Sequence, residues 1–184
     1  IPIANGTMAV YWKEPVTVAA SRHVLVHFHG APETVCSAFV RSEVEAFLVV
    51  VNFRGLSSAY SAPFASDANL FSQILERART ALRDSNARLE AGDWKHVSVS
   101  SFSAGYGAVR EILKSPKHFD KIEAIVTADS IYAGLQIEQP ERQVNEQHMR
   151  DFLRFATLAA GGKKSFLISH SAQPTPYAST TETA

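Results

Sequence analysis

The most informative stretch of the sequence reads H-V-S-V-S-S-F-S-A-G-Y-G-A, at residues 96–108. It begins as a β-rich run and passes directly into a helical pattern through the small residues around Ser103. Strand and helix backbones approach each other closely at such a turn, which requires small residues two positions either side of the serine. Gly105 meets this requirement, and Ser101 is small enough to be tolerated. The stretch therefore predicts a strand and a helix joined by a sharp turn that presents Ser103.

Short apolar runs rich in β-branched residues are typical of strands, and they occur at 24–28, 47–51, 97–99, 122–126 and 166–168. Their nearly continuous apolar character predicts burial on both faces, as in a parallel sheet covered by helices. Residues 8–12 are expected to add an edge strand.

Helical patterns alternate with these runs and occupy residues 37–46, 68–89, 104–113 and 144–160. This alternation predicts a three-layer α/β/α fold around a mostly parallel, doubly wound sheet, in a single domain spanning residues 1–184. Loops that leave the carboxyl ends of the strands then build the active site. Segments 57–66 and 171–181 are rich in loop formers and are expected to line a pocket.

Charge and composition argue against several classes of function. The 18 basic residues balance the 18 acidic ones, which gives no broad attraction to nucleic acid or to anionic membranes. No apolar stretch is long enough to span a membrane, so we expect a soluble protein. The single cysteine, Cys36, cannot form an internal disulfide. The chain begins with Ile1, which hints that an upstream segment such as a secretion signal has been removed, so both a cytoplasmic and an exported location stay open.

The turn at residues 101–105, S-F-S-A-G, resembles the nucleophile elbow of the α/β-hydrolase superfamily. This resemblance implies that Ser103 is the nucleophile of a serine hydrolase. Ser101 departs from the glycine that usually fills the first small position, and it remains a rival nucleophile. The alternative is an ordinary turn in which the serine caps a helix.

A second match lies upstream, where V-L-V-H-F-H-G-A at residues 24–31 forms a strand that ends in a His-Gly step. In the hydrolases that it resembles, the loop after this strand and the residue after the nucleophile each supply an N–H to the oxyanion hole. The resemblance implies Ala31 and Ala104 as these donors, with Gly30 allowing the backbone to approach the oxyanion. We expect His29 to be buried beside the substrate and hydrogen-bonded to backbone. Since no further Asp or His follows His27 and His29 closely, no metal site is predicted, and no cofactor is expected.

A serine nucleophile needs a base and an acid that orients the base, and both must leave the same sheet edge as Ser103. Candidates that precede a strand or lie within a predicted helix are excluded: His23, His96, His118, Asp120, His148 and Asp151. Asp129 and His170 each follow a predicted strand at the correct end. The order Ser103, Asp129, His170 also matches that of the superfamily. We predict His170 as the base and Asp129 as its partner, the alternative for Asp129 being a turn or helix cap.

The positions of the acid and the histidine depart from the family pattern. They usually follow the second and third strands after the elbow, whereas here they follow the first and second. One alternative is a catalytic histidine in a missing segment beyond Ala184, which would make His170 an incidental loop residue. Ser179 and Glu182 form the pattern of a capping box, which opens a helix just before the chain stops. A C-terminal helix and a further strand are therefore either missing or were never there.

The resemblance implies a carboxylic ester hydrolase that acts on small or medium acyl esters through an acyl-enzyme, because the segments between strands leave little room for a large lid. Loop tyrosines near this edge are expected to shape an apolar acyl pocket or simply to pack: Tyr60, Tyr132 and Tyr177. Arg54 is placed to meet an anionic substrate group unless it is merely solvated. Two alternatives stay open: a peptidase or acyltransferase with the same triad, and a non-catalytic binding protein of this fold. The sequence leaves the oligomeric state open.

Overall fold

The computed structural model of the chain describes residues 1–3, 5–85, 93–136 and 142–184. Within these residues one sheet contains seven strands in the order β1-β2-β4-β3-β5-β6-β7. β1 and β2 pair antiparallel, as do β2 and β4, and all the later pairs are parallel. The mostly parallel sheet predicted from the alternation of elements is therefore present. The strands are β1 Pro2–Ile3, β2 Gly6–Tyr11, β3 His23–Phe28, β4 Phe47–Phe53, β5 His96–Phe102, β6 Ile122–Ala128 and β7 Ser165–Ser169.

The strands predicted from apolar runs all form, in most cases with somewhat wider bounds than expected. The segment predicted as an edge strand corresponds to β2, but the edge position is wrong. The two residues of β1 pair with its outer side, through Pro2 opposite Thr7 and Ile3 opposite Gly6. β2 therefore lies inside the sheet, between β1 and β4.

Helices cover both faces of the sheet, as the three-layer prediction requires. A large apolar cluster joins one face of the strands to α2, α3, α4 and α6. On the other face, Phe39 of α1 packs with Leu48 and Val50 of β4. Each fully buried side chain of this kind contributes roughly 1.5–3 kcal/mol, so the large cluster is the main source of stability. The helices are α1 Pro32–Arg41, α2 Ser57–Ser66, α3 Leu70–Asp84, α4 Tyr106–Leu113, α5 Pro116–Lys121, α6 Glu146–Ala160 and α7 Thr180–Thr183.

Burial on both faces is confirmed for β4 and wrong for β6 and β7. Almost every residue of β4 is buried, whereas exposed residues alternate with partly buried ones along β7, and exposed residues interrupt the buried ones along β6. Val126 is 38% exposed and Leu167 is 63% exposed. The reason is that α1, which covers this face, packs against β4 and not against the two later strands.

Two helices differ from their predicted positions. Residues 57–66, expected to be a loop, form α2, because this segment packs against α4 so closely that a Cβ at Gly107 would lie 2.5 Å from the Ser57 carbonyl oxygen. α1 begins at Pro32 and not at residue 37, since proline suits the first position of a helix.

The remaining helix predictions fit more closely. Residues 68–89 were expected to be one helix and contain α3, but residues 86–89 of that prediction lie outside the described residues. α6 is capped by the Asn145 side chain, which accepts from the Gln147 N–H, and it stops before Gly161 as expected. The predicted capping box at Ser179 and Glu182 is confirmed and opens α7. No described helix has the length and apolar character that a membrane crossing requires.

Candidate active site

A short 3₁₀ turn at Ser103–Gly105 joins β5 to α4, so the predicted strand-to-helix turn is present. Ser103 has a φ of 43°, a left-handed conformation that residues other than glycine rarely adopt. Its side chain is partly exposed, and its carbonyl accepts a hydrogen bond of 2.9 Å from Ser130 Oγ. A strained backbone of this kind costs about 1–3 kcal/mol and persists only where the surrounding structure holds it.

Close packing at Gly105 holds the turn in place. A Cβ at this position would lie 2.2 Å from the carbonyl oxygen of Phe28 and 2.8 Å from its carbonyl carbon. These are backbone atoms at the end of β3, which cannot rotate away as a side chain could. The prediction that this position must be small is confirmed, and the start of α4 lies directly against the end of β3.

Ser101 is not accessible as a rival nucleophile. The residue is 1% exposed, and its Oγ has no hydrogen-bond partner among the described residues. The hydroxyl of Thr127, which lies opposite Ser101 on β6, is also buried without a hydrogen-bond partner among the described residues. Of the two serines, Ser103 is the one that is partly exposed.

The loop after β3 has an unusual backbone at two successive residues, since φ is 71° at His29 and 144° at Gly30. Only glycine adopts the second value readily. The Gly30 N–H donates to Asn52 Oδ1 at 3.2 Å, which leaves Ala31 and Ala104 as the expected oxyanion donors. Both lie at the start of a helix, where N–H groups lack acceptors within the helix.

His27 of β3 and His29 of the loop after it make side-chain contacts that the sequence did not reveal. His29 is partly buried, and its Nδ1 lies 2.9 Å from the Tyr60 hydroxyl, so the expected backbone partner is wrong. His27 uses both ring nitrogens, with Nε2 2.8 Å from the His29 carbonyl oxygen and Nδ1 2.8 Å from Ser100 Oγ. Burial lowers the pKa of both imidazoles. No group of three metal-ligating side chains occurs in the described part of the chain.

The three residues predicted as a triad follow equivalent positions of three neighbouring strands. Phe102, the last residue of β5, is opposite Ala128 of β6, and Ala128 is opposite Ser169 of β7. The residue directly after each of these strand ends is Ser103, Asp129 or His170. These three residues therefore lie in one row at the carboxyl edge of the sheet, where neighbouring strands are roughly 4.8 Å apart. Asp129 occupies the middle of this row, between the serine and the histidine.

Asp129 has a φ of 44° and is held by the loop after β7. Its carboxylate accepts a 2.7 Å hydrogen bond from Ser171 Oγ and a longer one from the Ser171 N–H. Burial acts to raise the pKa of Asp129, but hydrogen bonds from Ser171, Tyr132 and Thr180 outweigh it and hold that pKa below its ordinary value. The carboxylate is therefore ionised near neutral pH and already supplied with donors.

His170 is exposed, and its Nδ1 lies 3.1 Å from Thr181 Oγ1. Among the hydrogen bonds of the described residues, none joins His170 to Asp129 or to Ser103. The structure thus brings the three predicted residues to one edge of the sheet without the hydrogen bonds of an assembled triad.

The three tyrosines differ in their surroundings. Tyr60 is fully buried within α2, so the prediction that it lies in a loop and shapes a pocket is wrong. Tyr132 is buried, with its ring edge-on to those of Tyr106 and Tyr177. Burial, together with the charge of Asp129, raises the pKa of Tyr132 to about 12. Tyr177 is 45% exposed, and it remains a predicted substrate contact.

Two cavities open near this edge. One of about 510 Å³ has mainly apolar walls and runs between α1 and the sheet, past His29, Ala31 and Phe102. Another of about 590 Å³ lies beside α2 and α3 and includes Arg54 and Arg77 in its wall. Arg77 Nη1 donates to the Pro2 carbonyl oxygen.

Sequence reasoning missed several residues that hold the site. Ser171 and Thr180 donate to Asp129, Ser130 anchors the turn at Ser103, and Asn52 binds Gly30. A signal was present for Asn52, which is a polar residue inside the apolar run of β4. No pattern distinguished Ser171 and Thr180 from other loop residues, because their partner lies on another strand.

No protein-family model matches the sequence, and no curated protein matches it at a significant level. Among solved structures, the chain is similar to a thermophilic esterase from the planctomycete Thermogutta terrifontis, with 17% identity over 78% of this chain and 55% of that one, at a TM-score of 0.44. It is also similar to a thermostable esterase (12% identity, 89% and 50% covered, TM-score 0.42). A third is YbtT, a type II thioesterase from a yersiniabactin pathway (10% identity, 80% and 57% covered, TM-score 0.40). The chain spans about half the length of the first two structures.

The sheet order and the helix packing define the fold. A mostly parallel sheet is covered by helices on both faces, and Ser103, with its left-handed backbone, joins β5 to α4. These features are those of a three-layer α/β/α fold around a doubly wound sheet, as predicted.

Proposed function

We propose that this chain hydrolyses carboxylic esters with Ser103 as the nucleophile. The observation that carries the proposal is the left-handed backbone of Ser103 at the strand-to-helix turn, with the residue partly exposed. Strain of this kind is concentrated at functional sites, because it aims a side chain where a relaxed turn would not. The proposed role is that of a nucleophile elbow.

The backbone around Ser103 supports stabilisation of an oxyanion. The contact between Gly105 and Phe28 holds the start of α4 beside the loop that contains Ala31. The N–H groups of Ala31 and Ala104 are the proposed donors, and the partial positive charge at the start of α4 adds to them. Removing one such donor typically costs about 3 kcal/mol of transition-state stabilisation.

The proposed base is His170 and the proposed acid is Asp129. In the first step His170 accepts the Ser103 proton as Oγ attacks the acyl carbon, and Asp129 stabilises the imidazolium. The protonated histidine then donates to the departing alcohol, and water repeats the sequence to release the acid. Because Asp129 lies between the other two residues, the imidazole must leave Thr181 and extend across the carboxylate to reach Ser103.

Small or medium acyl esters are the proposed substrates. Tyr177, on the loop after β7, is 45% exposed and offers apolar ring surface, and the buried ring of Tyr132 packs edge-on against it. The proposed chemistry uses protein groups and water, with no cofactor.

Hydrolysis of p-nitrophenyl acetate and butyrate tests the proposal. We expect Ser103→Ala to lose at least about 10³-fold in kcat, whereas the matched variant Ser101→Ala removes a buried hydroxyl and keeps wild-type activity. His170→Gln should cause a loss of similar size, and His148→Gln on α6 should not. Wild-type activity in Ser103→Ala would refute the nucleophile, and wild-type activity in His170→Gln would refute the base.

A non-catalytic binding protein of this fold is the second candidate. It is favoured by one observation, namely that Asp129 and His170 hydrogen-bond to Ser171 and Thr181 and not to each other. On this alternative the wild-type chain hydrolyses neither ester, and its Ser103→Ala variant behaves identically.

A further inference from the structure

Asn52 binds both polar backbone groups of one residue in the loop after β3. Its Oδ1 accepts from the Gly30 N–H at 3.2 Å, and its Nδ2 donates to the Gly30 carbonyl oxygen at 2.9 Å. The amide lies near the end of β4, in a strand whose other residues are buried and apolar. A single side chain therefore fixes the peptide groups on both sides of Gly30.

The bond to the Gly30 carbonyl determines the direction of the next N–H. In a planar trans peptide the C=O and the N–H point in opposite directions. The peptide that contains the Gly30 carbonyl also contains the Ala31 N–H, so anchoring the oxygen on Asn52 aims that N–H away from Asn52. The φ of 144° at Gly30 is a conformation that needs such an anchor, since glycine has many others available.

Tyr60 fixes the orientation of the Asn52 amide. Its hydroxyl donates to Asn52 Oδ1 at 3.1 Å and accepts from the Phe53 N–H at 3.2 Å. A hydroxyl has one proton, so the contact with His29 Nδ1 is a bond that the imidazole donates. The single donor and both lone pairs of the fully buried phenol are thus used. Rotating the Asn52 amide by 180° would place its NH₂ group against the Gly30 N–H, so that two donors would face each other.

We propose that Asn52 is a positioning residue that aims the Ala31 N–H at the oxyanion formed on Ser103. This proposal rests on the ester hydrolysis proposed above. It assigns Tyr60 a supporting role through Asn52, in place of a contact with substrate.

The variant Asn52→Asp tests this role most sharply. The carboxylate still accepts from Gly30 and Tyr60, but it cannot donate to the Gly30 carbonyl and repels it. We expect kcat for p-nitrophenyl butyrate to fall about 10- to 100-fold, somewhat less than removal of a whole donor, with KM changed less than about threefold. A trifluoromethyl ketone, whose hemiketal oxygen occupies the oxyanion position, should bind more weakly by the same factor. Asn69→Asp, the same change at an exposed residue, should match the wild type in both measurements.

The possible results separate a failure of the positioning role of Asn52 from a failure of the proposed ester hydrolysis. If the wild type is active and Asn52→Asp has an unchanged kcat, the positioning role is refuted and the proposed function stands. The same holds if kcat falls in Asn52→Asp but the affinity for the ketone is unchanged. A wild type that hydrolyses no ester overturns both proposals. If Asn52→Asp does not fold, Tyr60→Phe replaces it: a two- to tenfold fall in kcat, matched by weaker ketone binding, supports the role, and wild-type values refute it.

Discussion

Replacing Gly105 by alanine should damage stability and activity together. The added Cβ would lie 2.2 Å from the Phe28 carbonyl oxygen, whereas ordinary contacts begin near 3.4 Å. The start of α4 must therefore move by about 1 Å, because the opposing atoms belong to the backbone of a central strand. Overpacking of this kind costs about 1–3 kcal/mol. For a chain of this length, that corresponds to a fall in Tm of roughly 2–12 °C.

The same movement displaces Ser103, which lies two residues before Gly105. A shift of about 1 Å at a reacting group can lower the rate about 100-fold. Urea unfolding and the rate of p-nitrophenyl butyrate hydrolysis measure the two effects. Gly161→Ala is the matched control, because a Cβ there would lie 3.6 Å from its nearest neighbours and φ is already −82°. A Gly105→Ala protein with the stability and activity of the wild type would refute the close-approach argument.

Two further predictions concern stability. Ser179→Ala removes the cap of α7 and should lower the free energy of unfolding by about 1 kcal/mol in urea, and an unchanged midpoint would contradict the capping role. Burial, aided by Lys117 and Lys121, lowers the pKa of His118, so below about pH 6.5 the unfolded chain binds a proton that the folded chain does not. Stability should thus fall as the pH is lowered from 7 to 5, and it should fall less in His118→Phe. Equal slopes for the two proteins in urea titrations would show that His118 does not contribute.

The parts of the fold that the sequence predicted are those determined by local patterns. Apolar β-branched runs revealed the strands, and the small residues around Ser103 revealed the turn, because close backbone approach excludes a side chain at Gly105. Parallel pairing then placed Asp129 and His170 at the same edge as Ser103. These inferences need only the chain direction and the period of each element.

The features that were missed depend on contacts between distant segments. The loop formers at residues 57–66 become helical because α2 packs on Gly107 of α4, which no local pattern records. The single-sided burial of β6 and β7 depends on where α1 packs. The partners of Asp129 and His170 were missed for the same reason, since Ser171 and Thr181 resemble ordinary loop residues until the strands are aligned.

Covalent labelling with a fluorophosphonate tests whether Ser103 is the nucleophile. We expect one adduct per wild-type chain, found by mass spectrometry on the peptide that contains Ser103. The same adduct should form in Ser101→Ala and none should form in Ser103→Ala. No adduct on the wild type, or an adduct that survives Ser103→Ala, would contradict the assignment of Ser103 as the nucleophile.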